Sequence, residues 1–266
     1  MKRINISVLS LILLIVCSCK KQNDTITTDL YATPEQSRGL VKTMSFKNIS
    51  GTPVTYTYYY NTELKIKKIE IRQNGEAKFN LIYNYFSDHI LRFITDPIGN
   101  NSTFSDSLFI SQTGFISRWA QYTRQTNGSY LQLYCHRFEY DNEGYVSKAY
   151  YNWETSCNDT SVKPIIYQIN NGNTISAIDF QPNFLPPIFY YFSYTHYNDK
   201  INTLENSYFG SAYLGKTCKN PIKEHIIKDT LETIIKKEEY SYEFNVEGFI
   251  VKKILDQKDT TIISYY

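Results

Sequence analysis

The sequence predicts an all-β protein, a large curved antiparallel meander of about seven β-hairpins. A unit made of an aromatic-x-aromatic triplet, a polar turn and an alternating apolar strand recurs along the chain. In addition, 25 of the 266 residues are tyrosine, which favours strands. A twisted sheet of about fourteen strands tends to curl, so we expect an open sheet or an incomplete wide barrel; a two-sheet sandwich is the alternative.

The clearest copies of the repeated unit are residues 138–148 and 242–252, which match in kind at nearly every position. Weaker copies begin at residues 58, 83, 108, 167 and 194. Each copy predicts a hairpin, because its Gly or Asn supplies the positive-φ residue that a tight turn requires. The segment 222–237 has the best helical pattern of the chain, but its Thr and Ile content also suits a strand.

The N-terminus predicts export and lipidation. Residues 1–18 combine a basic start, an apolar run too short to span a bilayer and a small residue, Ser18, before a cysteine. The segment 16–19 resembles a lipobox, in which the Cys19 thiolate accepts a diacylglyceryl group. We therefore predict that Cys19 becomes the acylated first residue of the mature protein, carrying fatty-acid chains such as palmitate. An ordinary signal peptide cut elsewhere is the alternative.

The mature chain is predicted to consist of a tether and one domain. Residues 19–38 are polar and predict a tether, and residues 39–266 predict a single repeat-built all-β domain. The lipid on Cys19 predicts attachment to the outer membrane of the cell envelope. Because Lys20 and Lys21 precede the first acidic residue, Asp24, we favour the periplasmic face over the cell surface.

Charge and motifs argue against several functional classes. Once Lys2 and Arg3 leave with the signal, the mature chain has 26 basic and 26 acidic residues, which argues against nucleic-acid partners. The four histidines stand far apart in sequence, and the chain has no P-loop, nucleophile elbow or dinucleotide-binding glycine pattern. We therefore expect no enzyme activity, no cofactor and no metal site.

The predicted strands carry charge on both faces. In the segment 64–71, Lys65 and Lys67 share one face, and Lys68 and Glu70 share the other. A transmembrane barrel needs an apolar outward row on its strands. The pattern therefore favours a water-soluble domain that its lipid alone holds at the membrane.

Aromatic side chains are the candidate ligand contacts. Trp119, Tyr122, Tyr151 and Trp153 lie near strand ends beside polar loops, where rings can stack on sugars. The alternative is that these rings pack the hairpin faces. Together with the missing catalytic motifs, they predict a non-enzymatic binding module for a glycan, a peptide or a protein. A structural or assembly component of the outer membrane is the alternative function.

Three cysteines remain after Cys19. Cys157 and Cys218 lie in polar loops, whereas Cys135 lies in a strand-like run. The cell envelope permits disulfides, and we favour pairing of Cys157 with Cys218. Sequence alone does not fix the connectivity.

Three features together carry a family resemblance: the lipobox at Cys19, the repeats from about residue 40 to 266, and the segment 213–222, Tyr-Leu-Gly-Lys-Thr-Cys-Lys-Asn-Pro-Ile. The chain resembles Bacteroidetes lipoproteins that hold a domain of unknown function with a porin-like fold. Its hairpins are also similar to the tyrosine-rich repeats of the YD-repeat family. Cys218 stands where the lipoprotein family usually has serine. Since that family has no established activity, the resemblance implies fold and location but no chemistry.

Overall fold

The computed structural model describes residues 31–152, 157, 161–181 and 187–266. Within these residues, sixteen antiparallel strands form a closed barrel in which each strand pairs with its sequence neighbours and the first pairs with the last. No helix in this part of the chain is long and apolar enough to cross a membrane. The strands are β1 (Val41–Lys47), β2 (Pro53–Tyr60), β3 (Ile66–Gln73), β4 (Glu76–Tyr85), β5 (His89–Thr95), β6 (Asn101–Ile110), β7 (Ile116–Arg124), β8 (Tyr130–Tyr140), β9 (Val146–Asn152), β10 (Ile165–Asn170), β11 (Asn173–Gln181), β12 (Ile188–His196), β13 (Ile222–Lys228), β14 (Ile234–Phe244), β15 (Ile250–Leu255) and β16 (Asp259–Tyr265).

The closed barrel shows that the predicted open sheet or incomplete barrel is wrong, although the chain is all-β and antiparallel as expected. The seven repeated units lie on the strand pairs from β2–β3 to β14–β15. Two further strands complete the ring, with Met44 of β1 opposite Ile263 of β16. These strands come from the two ends of the domain and lack the repeated unit, so closure leaves no local sequence signal. The segment 222–237 forms β13 and the start of β14, not a helix.

The polar turn of the repeat is built by a side chain that caps the backbone. In the turn before β9, the Asp141 carboxylate accepts hydrogen bonds from the backbone N–H groups of Glu143 and Tyr145, both at 2.9 Å. Gly144 lies between them with φ +90°, a conformation that side chains disfavour. Asn245 caps the turn before β15 in the same way. The two clearest copies of the repeat therefore encode their turns through an Asp or Asn followed three residues later by Gly.

The strap, which we define as residues 197–221 between β12 and β13, crosses one end of the barrel. It contains two short 3-10 turns, Asn206–Phe209 and Ala212–Leu214. The Phe209 ring packs 5.3 Å from Tyr58 of β2, and the Tyr213 ring packs 6.1 Å from Tyr85 of β4, both between centroids. The strap also hydrogen-bonds to the backbone of β15. Contacts so widely spread around the ring require that the strap lies across the lumen, so the residues that it touches face inward.

In β3 the inward row is apolar and the outward row is charged. Tyr58 lies opposite Ile69, so Ile69 and Ile71 also face inward, where both are buried. Glu70 and Arg72 occupy the outward row of the same strand and form an ion pair at 2.6 Å. Further outward ion pairs are Lys148–Glu139, Lys252–Glu243, Lys237–Glu224 and Lys237–Glu239. The core therefore fills the inside of the barrel near the strap.

The N-terminal segment enters the barrel at the strap end. Tyr31 forms an isolated bridge with Asn61, and the Ala32 N–H donates to the Tyr60 carbonyl at 2.9 Å. Residues 31–38, which the sequence assigns to the tether, thus lie against the barrel. Residues 1–30 are outside the described part of the chain. The signal peptide, the lipid on Cys19 and the rest of the tether therefore stay predictions.

The disulfide differs from the expected one. Cys135 of β8 is bonded to Cys157, with a Cα–Cα distance of 5.1 Å, and Cys218 is a buried free thiol. The connection that follows β9 starts beside β8, which brings Cys157 close to Cys135. Cys218 belongs to the strap, whose contacts lie at the opposite end of these strands. The predicted Cys157–Cys218 pair is therefore wrong.

Candidate functional site

The ladder between β9 and β10 is the shortest in the barrel. It contains two residue pairs, Ala149 with Ile165 and Lys148 with Ile166. The other fifteen neighbouring strand pairs contain four to seven each. Residues 167–170 of β10 pair with β11 but have no ladder partner on β9. We call this opening between β9 and the end of β10 the seam.

The strap crosses the seam at the end of the barrel where the strap itself lies. The Lys216 N–H donates to the Gly144 carbonyl at 2.8 Å, in the turn before β9. The Lys219 N–H donates to the Gly172 carbonyl at 2.7 Å, in the turn after β10. The strap therefore links the two turns that border the seam. It also bridges Tyr145 through Lys216, while residues 167–170 of β10 keep no ladder partner on this side.

A cleft of about 850 Å³ lies beside the seam, within the size range of protein ligand sites. Among the described residues, five that line it are asparagines, and one carboxylate and one ammonium group are present. The residues that line it are Glu143, Tyr145, Asn170, Asn171, Gly172, Asn173, Ile175, Tyr194, Thr195, His196, Asn198, Lys219 and Asn220.

A pair of buried asparagines builds one wall of this cleft. The Asn173 amide donates to the Asn220 side-chain oxygen at 2.9 Å, and the Asn220 backbone N–H donates to the Asn173 side-chain oxygen, also at 2.9 Å. Asn220 further donates to the carbonyls of Asn198 and Lys200. These bonds fix the strap to the β10–β11 hairpin. The exposed amides of Asn171 and Asn198 lie on the same lining and remain open to solvent.

The three ring side chains at the cleft, Tyr145, Tyr194 and His196, are uncharged at neutral pH. Burial lowers the pKa of His196, whose Nε2 has no hydrogen-bond partner among the described residues. Burial raises the pKa of Tyr194 to about 12. With Glu143 and Lys219 of opposite sign, the lining suits a polar ligand with little net charge. A single carboxylate does not provide the pair that acid–base hydrolysis of glycosides uses.

The predicted aromatic residues do not converge on one site. Trp119 and Tyr151 face inward on either side of His136, with ring centroids 6.1 and 5.0 Å from it. Tyr122 belongs to the outward row of β7, because it lies three residues from Trp119 on a regular strand. Trp153 is outside the described residues. Of the described residues, Trp119, Tyr122 and Tyr151 do not line the cleft.

Trp119 belongs to a buried ion-pair network. Asp106 is 2% exposed and accepts hydrogen bonds from Arg92 at 2.7 and 2.8 Å, from the Trp119 indole at 3.1 Å and from Gln121 at 3.3 Å. The Arg92 guanidinium also lies 5.0 Å from the Trp119 ring centroid. The geometry gives this tryptophan a structural role in satisfying a buried charge.

A second inward network centres on Glu238 of β14. Its carboxylate contacts the Lys236 ammonium at 2.6 Å, His225 Nδ1 at 3.0 Å and the Tyr240 hydroxyl at 2.8 Å. Burial raises the pKa of Glu238, but these three hydrogen bonds outweigh burial and hold the pKa at about 2. The His225 ring stacks on Tyr194 at 4.6 Å, which joins this network to the cleft.

Sequence reasoning missed the asparagine lining. The run 170–173 reads Asn-Asn-Gly-Asn, and it was assigned only a turn role, although such runs also concentrate amide donors and acceptors. Asn198 and Asn220 lie elsewhere in the chain and join the run only through the strap. Among the described residues, no three His, Cys, Asp or Glu side chains are placed to hold a metal ion.

No protein-family model and no curated protein matches this chain. Solved structures do match in fold. One is a porin-like protein from Bacteroides uniformis, 12% identical, with a TM-score of 0.50 over 84% of this chain and 96% of that chain. Another is a porin-like protein from Bacteroides vulgatus, 10% identical, with a TM-score of 0.52 over 85% of this chain and 98% of that chain. At these identities the likeness concerns the fold, which is porin-like.

Proposed function

We propose that this protein is a lipid-anchored binding protein of the cell envelope, attached to the outer membrane through Cys19. Its barrel is water-exposed and non-conducting, and it binds a polar ligand of little net charge in the cleft beside the seam. The asparagine-rich cleft of about 850 Å³ is the observation that carries the proposal. Amide side chains both donate and accept hydrogen bonds, which suits glycans and peptide groups alike.

The charged outward rows support a barrel that stands in water. A Lys or Arg that faces lipid at the bilayer midplane costs about 2 to 4 kcal/mol. Lys148, Lys237 and Lys252 each form an outward ion pair within two residues of the middle of a strand. The strap and the buried core also occupy the lumen at one end, which disfavours conduction.

The first experiment separates the anchor from the domain. The Cys19→Ser variant should be released from the membrane fraction as a folded domain, and it should not increase solute permeability of liposomes. Retention of this variant in the membrane fraction, or liposome swelling, would contradict the proposal. Protease treatment of intact cells assigns the periplasmic or the outer face.

The second experiment tests the cleft. The released domain is screened on a glycan array and against a phage-displayed peptide library. Thr195→Arg puts a long charged side chain on an exposed lining position and should weaken every cleft binder at least tenfold. The control is Thr126→Arg, on an exposed turn at the other end of the barrel. Equal binding by the two variants would remove the cleft from the proposal.

One observation favours the structural or assembly role as a second candidate. Turns at the end opposite the strap carry fully exposed apolar residues, Ile49, Ile98 and Leu231. These side chains are available for contact with a partner protein. Triple replacement of these residues by serine should abolish co-purification with an outer-membrane complex if this role is the correct one, and should leave ligand binding unchanged.

A further inference from the structure

The seam leaves part of one edge of β10 without a ladder partner. Residues 167–170 pair with β11 on one side and have no ladder partner on the side of β9. Backbone N–H and C=O groups alternate between the two edges of a strand, so about half of those on this segment point into the seam. An unpaired edge of this kind is a template for another extended chain.

The strap borders this edge and makes no ladder with residues 167–170. At the seam it forms a parallel bridge between Lys216 and Tyr145 and donates backbone hydrogen bonds to the carbonyls of Gly144 and Gly172. At the other side of the two ladder pairs, the disulfide ties Cys157 to Cys135 of β8. The barrel wall on both sides of the opening is thus held in place, which lowers the ordering cost for a bound chain.

The side chains around the edge suit an extended peptide. Ile166 is 47% exposed on the outward row beside the seam, where it offers apolar contact to an alternate side chain of an added strand. The exposed amides Asn170 and Asn171 continue the edge into the cleft. They can donate to and accept from peptide groups beyond the strand itself.

The rings at the cleft argue against sugar stacking. Tyr145 is 8% exposed, and one face of Tyr194 is covered by the His225 ring at 4.6 Å. A stacked sugar needs a free aromatic face. Main-chain recognition needs only the strand edge and nearby amides, and both are present.

We infer that the seam is a strand-addition site: an extended, largely uncharged peptide segment of a partner protein pairs with the edge of β10 at residues 167–170. The inference rests on the proposed function, because it assigns a ligand class to the same cleft. Specificity comes from alternate side chains of the peptide, one row against Ile166 and the other towards the lumen.

The test uses a peptide selected from the random library on the released Cys19→Ser domain and then synthesised. Two versions of the peptide are methylated on backbone nitrogens, one at its odd-numbered and one at its even-numbered residues. One version should bind at least tenfold more weakly and the other nearly as well as the unmodified peptide, because only every second N–H of a paired strand faces its neighbour. Hydrogen exchange should slow at least tenfold for the seam-facing amides of residues 167–170. Thr195→Arg should weaken the peptide, and Thr126→Arg should not.

Each other outcome has a definite meaning. A peptide that binds without the methylation parity, or without protection of residues 167–170, overturns strand addition. A glycan that binds in the cleft and is lost in Thr195→Arg, with no peptide selected, also overturns it and leaves the proposed function standing. Absence of any binder from either screen overturns both.

Discussion

Removal of the Cys135–Cys157 disulfide should destabilise the barrel at its weakest ladder. The bond closes a loop with a sequence separation of 22 residues. Opening such a loop restores chain entropy to the unfolded state and lowers the free energy of unfolding by about 3 kcal/mol. For a domain of this size, we expect the melting temperature of Cys157→Ser to fall by about 6 to 12 °C. Chemical denaturation and thermal unfolding of the Cys19→Ser domain measure the two quantities.

Thiol counting provides the matched control. Unfolded without reductant, the Cys19→Ser domain should contain one reactive thiol, that of Cys218. Cys218→Ala should leave none and should cost about 1 kcal/mol. If Cys157 were paired with Cys218 instead, Cys218→Ala would expose two thiols, those of Cys157 and Cys135. That count, or a larger stability loss in Cys218→Ala than in Cys157→Ser, would refute the reasoning.

Three further predictions concern the buried networks and the strap. Asp106→Asn should lower the free energy of unfolding by about 3 to 5 kcal/mol in urea titrations, because a buried guanidinium loses its counter-ion. Glu238 has a folded pKa of about 2, below an unfolded value of about 4.3, so its stabilising contribution is complete above the unfolded value. We expect up to about 3 kcal/mol to be lost as the pH falls towards the folded pKa, and Glu238→Gln should flatten that slope. Gly215→Ala places a Cβ against the Tyr140 ring of β8, so it should displace the strap and make the Cys218 thiol reactive in the folded protein. The control Gly128→Ala has a similar positive φ but open space around it, and it should leave Cys218 unreactive.

The strands and turns were predictable because each is encoded locally. Period-two alternation is present in the sequence of each hairpin, and residues 138–148 and 242–252 add a capped Asp or Asn turn with its Gly. Closure was not predictable in the same way. The pairing of β1 with β16 depends on the curvature that accumulates over all sixteen strands, and no single segment records it.

The site was missed for a related reason. The copies that begin at residues 194 and 242 are further apart than the others, which indicates a long connection between β12 and β13, but the sequence does not show its path across the lumen. That path brings Asn220 to Asn173 and removes Cys218 from the neighbourhood of Cys157. Both the disulfide and the cleft therefore depend on one long connection whose position is set by the rings of Tyr58 and Tyr85.

The proposed role follows from which row of side chains faces the lumen and which faces outward, and not from the number of strands. A sheet of sixteen strands closes by the same geometry whether its apolar row faces in or out. Here Ile69 and Ile71 face the lumen, and Glu70 and Arg72 face outward, which is the reverse of what a lipid-embedded wall requires. Aromatic rings packed inside the barrel stabilise it, so the barrel depends less on the hydrogen bonds of each strand pair. The β9–β10 ladder can therefore persist with two residue pairs. The filled interior therefore allows β9 and β10 to pair over only a short length. In the proposed complex, a ligand forms main-chain hydrogen bonds at residues 167–170, where β10 has no ladder partner on β9.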